Sequence, residues 1–230
     1  METMEDLYRK LRTPVSQIVA LFALGFLLFS FVPYLYGGPK IAGLPNHLKI
    51  VTGIEILICL ISLLPIFIKK QPKNYESFQK KLRISTGVCV LSFYNFTFVL
   101  YNAFYIIASH QGYNLYGIWI IGISAMVLSY FAHIGSILLF LRHPDKYKGK
   151  TRKERNNRKF IWIISVQLLS WIVYAQKIVE FILVPNVWDN SFLINVTNFT
   201  ILSINATCII IFNEYIKAEI EYRKKYDLKE

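Results

Sequence analysis

Six runs of apolar residues divide the chain, at about 15–36, 46–68, 84–108, 118–141, 160–184 and 192–214. An α-helix needs about 20 residues to cross a hydrocarbon core of ~30 Å, and each run reaches that length. The pattern therefore predicts an all-α, polytopic membrane protein, a six-transmembrane-helix bundle. The first run follows a charged lead, Met1 to Arg12, and is too long for the apolar core of a signal peptide. It is read as a retained first span. Breakers punctuate the outer connections, with Gly37 Gly38 Pro39 Lys40 after the first run and Pro185 Asn186 after the fifth. No repeat or separate soluble domain interrupts the pattern, so 1–230 reads as a single membrane domain ending in a charged, helical tail over 215–230.

Charge sets the orientation. Lys and Arg number three before the first run, six between the second and third, nine between the fourth and fifth, and five after the sixth. The remaining connections hold only Lys40 and Lys49. Positive residues mark cytoplasmic loops, so both termini and the two basic loops are expected in the cytoplasm. This accounts for the excess of 26 Lys and Arg over 14 Asp and Glu without a nucleic-acid partner. A hydrophobic share of 54% and a mean hydropathy of +0.40 agree with a membrane protein. Cys59, Cys89 and Cys208 lie inside apolar runs without the paired spacing of a zinc site or a disulfide framework, and read as core residues.

Polar residues within the runs are not spread evenly around the helices. Spacings of three and four residues return to one helical face, which groups Thr52, Glu55, Cys59 and Ser62 on helix 2 and Ser92, Asn95 and Asn102 on helix 3. Gln167, Ser170, Tyr174 and Lys177 share an arc of helix 5, as do Asn195, Asn198, Asn205 and Asn213 of helix 6. Taken singly, the Asn residues read as interhelical hydrogen-bonding groups. Glu55, Lys177 and Glu180 are another matter, because charge at such depth is costly unless it faces a partner or a wet cavity. All three fall in the outer half of the bilayer, which predicts a polar cavity there. Sequons at Asn95, Asn195, Asn198 and Asn205 lie in or at the edge of spans and are discounted as glycosylation sites.

A nucleophile needs a base within reach. Of four His residues, His47 and His110 belong to outer loops and His143 to the cytoplasmic end of helix 4, which leaves His133 alone inside a span. The chain has no Gly-x-Ser-x-Gly elbow, no His-Glu-x-x-His zinc motif and no glycine-rich phosphate loop. No metal and no cofactor is called for.

Several stretches carry a resemblance: Tyr36 Gly37 Gly38, then Lys49 Ile50 Val51 Thr52 Gly53 Ile54 Glu55, and Leu128 Ser129 Tyr130 Phe131 Ala132 His133. With Trp171, Pro185 and Asn213 Glu214 Tyr215 Ile216, they make the chain similar to the androgen-induced protein and androgen-dependent TFPI-regulating protein family of six-helix membrane hydrolases. The resemblance implies a threonine hydrolase of fatty acid esters of hydroxy fatty acids, with Thr52 as nucleophile and His133 as base. Ser129 and Tyr130 depart from the family's Asn and first His on helix 4, and Ile134 from its usual Thr. Measured from Pro65 and His143 at 1.5 Å per residue, Thr52 and His133 lie about 20 Å and about 15 Å from the cytoplasmic face. That difference is within ordinary helix tilt. Such a site would take a lipid from the bilayer, with Asn102 and Lys177 as candidate oxyanion donors and Glu55 orienting the base or pairing with Lys177. The expected location is the endoplasmic reticulum or the plasma membrane.

Two other readings stand beside it. Arg142 His143 Pro144, with Tyr147 and Gly149, resembles the Arg-His-Pro-x-Tyr-x-Gly signature of isoprenylcysteine and phospholipid methyltransferases, with one extra residue before Tyr147. A transporter or channel would instead use Glu55, Lys177, Glu180 and the Asn stripes as a permeation path, although no inverted repeat is evident.

Overall fold

The computed structural model describes residues 15–36, 41–64 and 75–142, with Asp6, Arg9, Ala175, Gln176, Ile178, Val179, Ile182 and Thr207. Among the described residues all regular structure is helical. Four helices, α1 (Val15–Leu35), α2 (Asn46–Leu63), α3 (Tyr75–His110) and α4 (Tyr116–Arg142), are each long and apolar enough to cross a membrane. A single 3₁₀ turn, Ile41–Gly43, leads into α2. The fifth and sixth runs fall largely outside the described residues. Within them, Ala175, Gln176, Ile178, Val179, Ile182 and Thr207 are helical.

The ends of two helices differ from those the hydropathy pattern predicts. Helix α2 stops at Leu63 rather than at 68, two residues before Pro65. Leu64 itself keeps helical geometry, with φ −56° and ψ −34°, and its N–H bonds the Ile61 carbonyl three residues back, which tightens the last turn. Helix α3 starts at Tyr75 rather than 84. Glu76, Gln79, Lys80, Lys81 and Arg83 are good helix formers that an apolar window passes over. Leu82 is buried on this polar extension.

Two compact units make up the chain. The first, within Met1–Leu115, contains α1, α2 and α3, and the second, within Tyr116–Ile220, contains α4. In the first unit each helix packs on the other two. Direction follows from the order of the contacts. The Ser92 hydroxyl donates to the Ser16 carbonyl at 3.0 Å, the Phe26 and Phe96 rings meet edge to face at 5.9 Å, and the Tyr34 hydroxyl donates to the Ile106 carbonyl at 3.1 Å. Residue numbers rise together, so α1 and α3 run parallel. Along α2 they run oppositely: Asn95 reaches Cys59 while Asn102 reaches Glu55. The result is an up-down-up arrangement of three spans. Helix α3 is its centre, since Val99 to Ile106 is buried on every side, whereas α1 and α2 each bury one stripe. A helix buried all round belongs inside a bundle.

The C-terminal end of α3 is closed by a Schellman motif. The Tyr113 N–H bonds the Ala108 carbonyl at 3.2 Å and the Gly112 N–H bonds the Ser109 carbonyl at 3.0 Å. The motif requires a left-handed residue, and Gly112 supplies it with φ 85°. Beside it the Tyr34 ring packs edge-on against His110, with ring centroids 4.9 Å apart. A Cβ at position 112 meets no neighbour within 4 Å, so the conformation alone sets the cost of a side chain. Gly112→Ala is expected to destabilise the protein by about 1 kcal/mol, and Gly112→Asn by less, read as thermal unfolding midpoints of the two variants in detergent.

Candidate functional site

Helix α2 buries one narrow stripe: Leu48, Thr52, Glu55, Cys59 and Ser62. Their spacing of four, three, four and three keeps them on a single face against α3, while Ile50, Ile54, Ile56, Leu57 and Leu60 stay exposed for lipid. Two residues of that stripe can carry chemistry. Thr52 is 8% exposed and Glu55 is 2% exposed. No ionisable group at such depth is placed cheaply, and the structure shows what surrounds this one.

Two amides of α3, seven residues and therefore about two turns apart, bracket Glu55 from across the seam. Asn102 donates its amide to Oε1 of the Glu55 carboxyl. Asn95 donates to the Glu55 backbone carbonyl at 3.1 Å and lies 3.2 Å from Cys59 Sγ. Both amides are buried, as is Ser92 one turn before Asn95. Sequence reasoning grouped Asn95 and Asn102 on one arc and read the single Asn residues as interhelical hydrogen-bonding groups, which is what Asn95 is here. The signal available was the seven-residue step from Asn95 to Asn102, two turns that return to one face of α3 and let both amides reach the same residue of α2. Burial also makes Asn95 inaccessible as a glycosylation acceptor.

The remaining polar atoms of the seam are one hydroxyl, which can donate as well as accept, and two acceptor oxygens. Among the described residues, Thr52 Oγ1, Glu55 Oε2 and Asn95 Oδ1 are buried and have no hydrogen-bond partner. Thr52 contrasts with hydroxyls nearby in the fold. Ser30, Ser62, Thr86 and Thr97 each donate to a carbonyl three or four residues back, at 2.7, 2.8, 2.9 and 2.7 Å. The Thr52 hydroxyl is not spent on its own helix. Lys49, which precedes it in the motif, turns out of the stripe and donates to the Ala42 carbonyl at 2.7 Å, where its charge is exposed.

His133 sits on α4 in the second unit and is buried, 3% exposed, on a stripe with Trp119, Met126, Ser129 and Tyr130. Ser129 lies one turn before it and is equally buried. Within the same unit, Gln176 donates to the Ile118 carbonyl. Thr52 and His133 thus belong to different units, each described by itself. Lys177, Glu180 and Tyr174 lie outside the described residues, as does the stretch from His143 to Gly149 that carries the methyltransferase-like signature.

A cavity of about 570 Å³, lined by Ile18, Leu21, Phe22, Gly25, Phe26 and Phe29, opens on α1. It is apolar and lies on the face opposite the buried residues Ala20, Ala23, Leu27 and Ser30. It contains none of the candidate site residues. No group of three or more His, Cys, Asp or Glu is placed to hold a metal ion among the described residues.

Loss of the two amides is expected to differ in cost. Asn95→Leu removes an interhelical bond to a backbone carbonyl, worth about 0.6–1.7 kcal/mol in a bilayer. Asn102→Leu strips the only described donor from a buried carboxyl oxygen and should cost about 3 kcal/mol. Unfolding free energies of the two variants in mixed micelles give the order directly.

A family model described as "Domain of unknown function (DUF5079)" matches residues 5–230. No curated protein and no solved structure matches the chain.

Proposed function

The chain belongs to the family described as Domain of unknown function (DUF5079), a description without chemistry, and we propose for it the hydrolysis of lipid esters within the membrane, with Thr52 as nucleophile and His133 as base. The observation that carries the reading is Thr52 Oγ1: a hydroxyl in a membrane span, buried, not bonded back to its own helix, and one turn from a carboxyl. A hydroxyl becomes a nucleophile when a neighbouring base takes its proton. In the proposed sequence His133 removes that proton, Thr52 Oγ attacks the ester carbonyl, and the alcohol leaves with the proton from His133. Water, deprotonated by the same imidazole, then releases the fatty acid and restores Thr52.

The resemblance to the androgen-induced protein and androgen-dependent TFPI-regulating protein family supplies the substrate class, fatty acid esters of hydroxy fatty acids. The apolar runs and the positive charge of their connections give the proposed layout of six spans with cytoplasmic termini, in the endoplasmic reticulum or plasma membrane. The Asn102 amide is engaged with Glu55, so in this reading Asn102 positions Glu55 and Lys177 is the proposed donor to the oxyanion. Tyr174 and Glu180 line the same proposed cavity. Substrate enters sideways from the bilayer, which suits a chain whose α1 and α2 expose broad apolar faces.

A second reading, a transport path through the bundle, is favoured by Glu55 itself, whose second carboxyl oxygen has no partner among the described residues. Covalent chemistry separates the two. The full-length protein in detergent is expected to take up a lipophilic fluorophosphonate at Thr52, located by mass spectrometry of the adducted peptide. Thr52→Ala should abolish that adduct, and His133→Ala should slow its formation by about 10²-fold or more. No adduct on the intact protein, or one indifferent to both substitutions, removes the hydrolase reading and favours transport.

A further inference from the structure

Glu55 is a buried carboxyl to which the proposed hydrolysis gives no chemical step. Asn102 holds its Oε1, while Oε2 is buried and has no hydrogen-bond partner among the described residues. Asn95 engages the backbone of Glu55 rather than its carboxyl. Lys49 does not answer the carboxyl either, because its ammonium donates to the Ala42 carbonyl and is exposed. Thr52 lies three residues earlier on the same buried stripe, a spacing at which side chains are neighbours, about 5–6 Å apart between Cβ atoms. Its Oγ1 is also buried and without a partner among the described residues. The hydroxyl and the carboxyl are not bonded to each other, yet the hydroxyl carries a hydrogen that Oε2 can accept.

Formation of the acyl-enzyme changes that balance. Once Thr52 Oγ is an ester oxygen it has no hydrogen to give, and Oε2 is left as an acceptor one turn from the new ester. The next reactant is water, which has two hydrogens. We infer that Glu55 is a positioning residue for the second step, holding the attacking water through Oε2 while Asn102 fixes the carboxyl through Oε1. This role rests on the hydrolysis proposed at Thr52 and adds to it. In the step, the water oxygen bonds the acyl carbon and the bond from that carbon to Thr52 Oγ breaks. One water proton passes to His133 and from there to Thr52 Oγ. The other stays on the water oxygen, hydrogen-bonded to Oε2, and leaves as the hydroxyl hydrogen of the fatty acid, so Glu55 gains and loses no proton. The water takes the space that the departed alcohol vacates. Holding a reactant in attacking geometry lowers the barrier without any covalent part for the residue that holds it.

Single-turnover kinetics test the inference, with the full-length protein in detergent in excess over radiolabelled p-nitrophenyl palmitate. Release of p-nitrophenol reports acylation, and release of free palmitate reports the second step. Glu55→Gln keeps a carbonyl for Asn102 but replaces the acceptor facing Thr52 with an amide N–H. It is expected to leave p-nitrophenol release near its original rate, to slow palmitate release about tenfold or more, and to accumulate palmitoyl on Thr52, read by mass spectrometry of acid-quenched protein. Glu55→Asp, which keeps the carboxyl but draws it back by one methylene, should slow the same step by less. A merely structural fault would slow both steps alike. If Glu55→Gln does not elute on size exclusion as the unsubstituted chain does, Glu55→Asp carries the test, with palmitate release alone slowed. The inference is overturned, and the hydrolysis stands, if the intact protein forms palmitoyl-Thr52 and the substitution leaves palmitate release unchanged or slows both steps together. No palmitoyl and no fluorophosphonate on Thr52 of the intact protein removes both.

Discussion

Everything described in the first unit depends on how a carboxyl group is held inside an apolar span. An ionisable side chain at the centre of a membrane helix costs several kcal/mol unless it finds partners, and Glu55 finds them on a single neighbour. Asn102 takes one carboxyl oxygen and Asn95 takes the backbone carbonyl of the same residue. Both donors belong to α3, so satisfying Glu55 fixes the register of α2 on α3 as well as their antiparallel direction. Lipid tails are as apolar as leucine and give helices little reason to associate. Polar pairs and close packing must set the geometry instead, and this pair of amides does so at mid-seam.

The rest of the unit follows from α3 being central. Two side chain to backbone bonds, Ser92 to Ser16 and Tyr34 to Ile106, fix α1 along it near both ends. They spare α1 any need for polar residues on its outer face, which is left to Leu21, Phe22, Leu28 and Phe29. The Schellman turn at Gly112 then ends α3 sharply at its C-terminus. This scaffold leaves the Thr52 hydroxyl one turn from Glu55, on the face of α2 that is turned into the bundle.

Much of this was legible in the chain. Periodicity alone grouped Thr52, Glu55, Cys59 and Ser62, because lipid on one side and protein on the other sort residues by a 3.6-residue period as water does for soluble helices. The four described spans were readable because about 20 apolar residues have few other fates. The start of α3 was not, since Tyr75 to Arg83 is helical by propensity and carries no apolar signal over its length. Nor was the centrality of α3. Hydropathy scores lipid-facing and protein-facing leucines alike, and the arc of Ser92, Asn95 and Asn102 marks one buried face rather than burial all round. Asn95 read as an interhelical hydrogen-bonding group, but its partner on α2 was hidden because a single amide in a span is compatible with many partners until the register is known. The sequence pairs Thr52 with His133 only through depth and resemblance, and in the fold they stand in separate units.

The measurement closest to the centre of this account is a double-mutant cycle on Glu55 and Asn102, using Glu55→Leu, Asn102→Leu and the pair. Unfolding free energies in mixed micelles would be compared across the four proteins. If the carboxyl and amide hold α2 to α3, the double substitution costs less than the sum of the singles, with a coupling of about 1–3 kcal/mol. Additivity within about 0.5 kcal/mol would show that the two side chains do not depend on each other, and the bracket on which the fold and the site are built would fail with it.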